Sequence, residues 1–319
     1  MKRFICLIAA IALIIGYAGF AHAFTFDAKN MTAAVEYQNL DKELDSVDSS
    51  ASYGESWTDT DDGDSTWAYS IGGDIAYEIN DMNMKGLTAN IGYNLSDTFK
   101  PYILLGTTDL EFTQKLSGTY VENDEGDLDG GSMDLLQSRF DSQMFTYGFG
   151  AAGNLLDFSK TDEAGVSDGL GIKVGYDFRY FMGSNSDNTT MVVLPNDKEE
   201  MVFDNETDVD FNEMDISLMA SKAFKMTKFV KEITPMIGYK YSKVNMTVKN
   251  NVSIPIDYRE RSRGVYQEGA NVSEEQTLTS GTHNALLGIS AKVNESWSAS
   301  VGAVVGPDNG WVAKVTYAF

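Results

Sequence analysis

The last nine residues, 311–319, alternate in polarity at period two. Trp311, Ala313, Val315, Tyr317 and Phe319 share one face, and Val312, Lys314, Thr316 and Ala318 the other. A strand sends successive side chains to opposite faces, so this segment reads as a strand whose apolar face is bounded by aromatics. The same pattern recurs through the chain, and helical spacing does not fit it. Trp67, Tyr69, Ile71, Ile75, Tyr77 and Ile79 alternate with small or acidic residues. Leu170, Ile172, Val174, Tyr176, Phe178 and Tyr180 alternate with Gly171, Lys173, Gly175, Asp177, Arg179 and Phe181. Ala285, Leu287, Ile289, Ala291 and Val293 repeat it near the end.

The chain opens on Met1-Lys2-Arg3, continues through an uncharged stretch over 4–15, and reaches Ala21-His22-Ala23. A basic start, an apolar stretch and a small-residue site read as an export signal over 1–23, cleaved near Ala23. The single cysteine, Cys6, leaves with it, so disulfides, thiol catalysis and cysteine-metal sites are excluded from 24–319. No later stretch approaches the length of an apolar membrane helix. The formal net charge of −23 argues against nucleic acid as a partner.

The closing strand, ending on Phe319 with Tyr317 two places earlier, resembles the last strand of bacterial outer-membrane β-barrels. The resemblance is to the porin-like and opacity-like barrels in general and identifies no subfamily. It implies Sec-type export, residence in the outer membrane of a Gram-negative bacterium, contact with lipid and lipopolysaccharide, and recognition of Trp311, Val315, Tyr317 and Phe319 by the barrel-insertion machinery. The fold expected is all-β, an antiparallel up-and-down transmembrane barrel over 24–319.

Eleven strands are legible, and short turns alternate with long polar connections. The long connections fall near 116–138, 184–208 and 249–281, with an acidic region over 41–65, and are read as extracellular loops. Placing Phe319 in the periplasm requires one more strand, for which 49–58 is the candidate. The count is therefore twelve, or ten if two segments are not strands, because single-chain bacterial barrels have even numbers.

A catalytic barrel would need a nucleophile and a base at its rim. His283 is the one histidine after the signal, and its parity puts it with Ala285 and Leu287 on the outer face, so no catalytic set is assigned. The acidic stretches at 59–64 and 122–131 fail the EF-hand spacing, so no metal or cofactor is assigned either. Parity turns a set of charges inward: Glu36, Asp74, Glu78, Asp109 and Glu111 from early strands, then Lys173, Asp177, Arg179, Glu213, Asp215, Lys240, Lys292 and Lys314. Facing one another across water they make a porin-like channel for small polar solutes. Paired across a narrow lumen they seal it, leaving a structural or surface-interaction barrel whose loops bind a partner.

Overall fold

The computed structural model describes residues 27–44, 49–61, 65–124, 127–158, 171–193, 201–226, 229–254 and 270–319. The export-signal region lies outside them. Twelve strands follow a single 3₁₀ turn at Ala28–Asn30. They are β1 (Met31–Lys42), β2 (Ser49–Asp61), β3 (Ser65–Tyr93), β4 (Lys100–Asp124), β5 (Asp127–Asp157), β6 (Ile172–Val193), β7 (Met201–Lys222), β8 (Phe224–Lys225), β9 (Glu232–Ile254), β10 (Ala270–Lys292), β11 (Trp297–Val305) and β12 (Asn309–Ala318).

Ten of these form a closed antiparallel wall. β1 pairs with both β3 and β12, which ties the two ends of the sheet together and removes its free edges. The count of ten holds, not twelve, for two reasons. The segments at 67–79 and 87–95 are one strand, β3, because 80–86 continues through a bulge between Asn80 and Asn83 instead of turning. The segment at 49–58 is indeed a strand, β2, but it pairs along the upper part of β3, outside the ring. The two-residue β8 only extends the pairing of β9.

The expected long loops are largely strand. Nearly all of 116–138 is the β4–β5 hairpin, paired out to Asp124↔Asp127. Strands β6 and β7 pair to Val193↔Met201, and β9 and β10 to Ile254↔Ala270. The correction has a simple origin. A polar hairpin in water reads like a loop when its neighbours carry long apolar faces, yet its backbone still needs hydrogen-bond partners, and adjacent strands supply them.

Side-chain parity runs unbroken along most strands, but polarity changes face partway up. On the lower half of β5, nearer the short turns, Phe145, Tyr147 and Phe149 point outward and are exposed. Higher on the same outer face come Arg139, Asp141 and Gln143, while Phe140 and Met144 are buried inside. Strand β7 repeats this, with Ile216 and Leu218 outside below and Asp208 and Asp210 outside above. Inside, its Glu213 and Asp215 give way upward to Phe211 and Val209. The barrel is thus apolar outside and polar inside below, and the reverse above.

Candidate functional site

Below the swap, the interior holds four cations and four acids in one run of ion pairs. Lys314 Nζ lies 3.4 Å from Glu36 Oε2. Arg179 reaches Glu36 Oε1 at 2.5 Å and Asp215 Oδ2 at 2.7 Å. Lys240 sits 3.0 Å from the same Asp215 oxygen and 3.6 Å from Glu213 Oε1. Lys42 closes the run, 2.6 Å from Glu213 Oε1 and 3.5 Å from Asp308 Oδ2. Taken as fully ionised, these eight side chains balance. Balance matters here, because an unmatched charge in so confined a place leaves its desolvation uncompensated.

Hydroxyls and amides satisfy part of the remaining valences, while Glu213 Oε2 and Asp215 Oδ1 are buried without a hydrogen-bond partner among the described residues. Ser242 donates to Glu213 at 2.8 Å, and Lys42 donates to Ser242 Oγ at 3.2 Å. Asp308 accepts from Thr282 Oγ1 at 2.9 Å and from Asn284 Nδ2 at 3.0 Å. A fifth acid, Asp177, accepts from the Tyr102 hydroxyl at 2.6 Å. Tyr102 is on β4 and Asp177 on β6, so the ring must cross β5. It does so over Gly150, where an added Cβ would lie 2.3 Å from the ring and 2.4 Å from its oxygen. Only a glycine permits that crossing.

This layer is dry. Glu213 is 0 % exposed and Lys42 4 %. Immediately above lies an apolar layer drawn from both sides of the barrel: Met82, Leu110, Phe112, Phe140, Phe211 and Met246, among others. Phe112 and Phe140 stack with their centroids 4.9 Å apart. Below the charge layer the interior opens into a vestibule of about 490 Å³ at the short-turn end. Lys314, Asp177 and Tyr102 line it, and Lys292 and Glu295 stand at its rim. Glu295 lies between Lys231 and Lys292, at 2.6 and 3.0 Å, which holds its carboxyl down at about 2.

The charges read as inward therefore divide. Glu36, Asp177, Arg179, Glu213, Asp215, Lys240 and Lys314 meet in or beside the network. Lys292 is at the vestibule rim, and Lys173 is exposed beside Asp157 at 3.1 Å. Asp109 and Glu111 point outward: Asp109 accepts from Gln143, and Glu111 pairs with Arg139 and Lys85. Their neighbours Leu110 and Phe112 take the inward positions because β4 has there passed the swap. The side chains of Asp74 and Glu78 lie outside those described. Reading the sequence missed Lys42, Asp308 and the inward course of Tyr102. Lys42 was within reach, since the buried series Glu36, Gln38, Leu40 continues to it at period two.

His283 is exposed on the outer face, its Nδ1 beside the Tyr239 hydroxyl and its ring 5.1 Å from that of Tyr241. The residues of the closing strand also face outward. Trp311 packs on Tyr37 at 5.1 Å, and Tyr317 packs on Trp297 and on Phe319 at 4.9 Å each.

Fold and site together define a closed ten-stranded β-barrel whose lumen is filled at mid-height. No protein-family model matches the chain, and no curated protein does. Among solved structures it is similar to a deletion mutant of the monoaromatic hydrocarbon channel TodX, with 8 % identity, 91 % of this chain and 90 % of that one covered, and a TM-score of 0.30. It is also similar to the transport unit of the autotransporter AIDA-I from Escherichia coli, with 10 % identity, 93 % and 94 % covered, and a TM-score of 0.26. Both likenesses are too slight to bear on function.

Proposed function

We propose that this chain is a bacterial outer-membrane barrel that spans the bilayer with a sealed lumen and presents its tall hairpins outside the cell as an interaction surface. The observation that carries the reading is the change of polarity between the two faces partway up the wall. In water throughout, the lower apolar band would be a large exposed patch of the kind that drives association. In lipid it is the expected surface. Nine residues, 311–319, rise roughly 30 Å along the strand, or about 20 Å at a tilt near 45°, close to the apolar band of a bacterial barrel. Trp311 at one level and Trp297, Tyr317 and Phe319 at the other suit the two interfaces. Above the band the outer face turns polar, as water requires, and the apolar residues move inside.

That inversion also favours the sealed barrel over the diffusion channel. A channel for polar solutes needs a wetted lining along its whole length. The charge layer and the apolar layer supply instead a dry plug. An enzymatic role finds less support, because among the described residues the contacts of the His283 ring are with Tyr239 and Tyr241. The same proposal includes export with loss of 1–23, contact with lipid and lipopolysaccharide, and use of Trp311, Val315, Tyr317 and Phe319 in assembly.

The test is reconstitution. The refolded full chain in planar bilayers at neutral pH should give no stepwise conductance, and in cells it should fractionate with the outer membrane. Steady conductance steps would return the protein to the diffusion class. A monodisperse protein in buffer without detergent would overturn the membrane reading.

A further inference from the structure

The vestibule is distinct from the sealed layers above it, and its chemistry is uneven. Its wall is built from the lower ends of β1, β3, β4, β5, β6, β9, β10, β11 and β12. Acids and bases both line it, but they differ in how far they are satisfied. Glu295 is held by two lysines, and Asp177 accepts from Tyr102. Among the described residues Lys314 forms one ion pair, with Glu36 at 3.4 Å on an oxygen Arg179 does not contact; the charge of Asp177 also acts on it, and a third of its side chain remains exposed. Lys100, two residues before Tyr102 on β4 and on the same face, has no acidic partner among the described residues. The remaining wall mixes amides and hydroxyls, such as Asn90, Asn94, Thr316 and Ser298, with Trp297, three alanines and a third acid, Glu232. The Oδ1 of Asn90 is buried without a donor among the described residues, although the residue lines the cavity.

We propose that the vestibule is a binding site for a small carboxylate whose body carries amide and hydroxyl groups, with Lys100 and Lys314 receiving the carboxylate. The size suits this, since pockets for small molecules run from about 300 to 1,000 Å³. The charge pattern does too. Lys100, with no ion pair among the described residues, and Lys314, with one, line the same cavity, and a partly desolvated site strengthens the attraction of such ammonium groups for an anion over bulk water. The amides and hydroxyls of the wall disfavour a wholly apolar ligand, whose burial would strand them, while Trp297 and the alanines leave room for an apolar portion. Sugar acids and peptide C-termini share this chemistry. The site shares Lys314 with the charge layer but reaches no higher, so it does not depend on whether the apolar layer above is open.

The experiment uses the refolded full chain in detergent, titrated by calorimetry with N-acetylmuramic acid, with the dipeptide alanyl-alanine, and with N-acetylglucosamine, which has the amide and hydroxyls but no carboxylate. Saturable binding of either carboxylate, at least tenfold tighter than N-acetylglucosamine, is expected, and the tighter of the two carboxylates names the source. Lys100→Gln should weaken that binding at least tenfold while leaving the heat-modifiable fold intact, because Lys100 holds no ion pair. Lys100→Arg should restore most of it. Equal binding of acid and neutral sugar, indifference to Lys100→Gln, or no saturation by about 10 mM, a free energy of only a few kcal/mol, would each overturn the proposal.

Discussion

At the scale of single residues, the weight of a charge here depends on where its strand has placed it. Lys42 is buried and bridges Glu213 and Asp308. Removing it leaves two carboxylates short of a cation in a dry layer, and breaking a buried pair in this way costs about 3–5 kcal/mol. Lys42→Met should therefore lower the temperature at which the barrel loses its heat-modifiable form, or its midpoint in denaturant, by a clear margin. Lys249 provides the contrast. It is exposed on β9 and sits 3.1 Å from Glu275, which holds its ammonium above the ordinary lysine range, chiefly through their hydrogen bond. Water screens such a pair, so Lys249→Gln should leave the same midpoint unmoved. Equal effects from the two substitutions would mean that the interior is wetter than its burial implies.

At the scale of elements, β3 shows what alternation alone conveys and where it fails. Its two apolar runs were both legible as strand. The bulge at Asn80 to Asn83 was not, because an Asn/Asp-rich heptad between alternating segments reads as a turn, and a bulge has no period of its own. Ile79 above the bulge and Met82 below it are both buried, so the extra residue exchanges odd for even as the inward set. Elsewhere parity turned Glu36, Arg179, Asp215 and Lys240 inward, and the structure brings these four into contact, but it missed the inward course of Tyr102 and Leu104 on β4. It misplaced Asp109 and Glu111 because it took apolar side chains as outward, whereas above the swap the apolar side chains of β4, Leu110 and Phe112, are the buried ones. The fate of β2 follows from the same element. It pairs with β3 alone and contributes nothing to closure, which β1 completes through β3 and β12. Replacing 45–64 with a Gly/Ser linker of equal length should leave a folded, heat-modifiable barrel, with a midpoint near that of the full chain. Failure to assemble would show that β2 belongs to the wall.

At the scale of the whole molecule, the polarity swap stacks two different seals in one lumen, and they close by different physics. The lower seal is electrostatic: its groups fit as ion pairs, and water is excluded because the pairs replace it. The upper seal is apolar, and a narrow apolar constriction resists wetting even where a water could fit. Seals in series add their resistances, so a current flows only when both are breached. The lower can be opened while keeping its charges balanced by Glu36→Ala with Arg179→Ala, a pair joined at 2.5 Å. Asp215 then retains Lys240 at 3.0 Å, and Lys314, which loses Glu36, keeps its exposure to the vestibule, where Asp177 also lies. The upper can be thinned by Phe112→Ala with Phe140→Ala, which removes the stacked rings at 4.9 Å. Each large-to-small change in a packed core costs about 3–5 kcal/mol, so each variant is first checked for the heat-modifiable fold. Neither double variant alone should conduct in planar bilayers. The combination of all four changes should give resolvable conductance steps. If the lower variant conducts by itself, the apolar layer is not a seal, and the barrel is a channel held shut by its ion pairs alone.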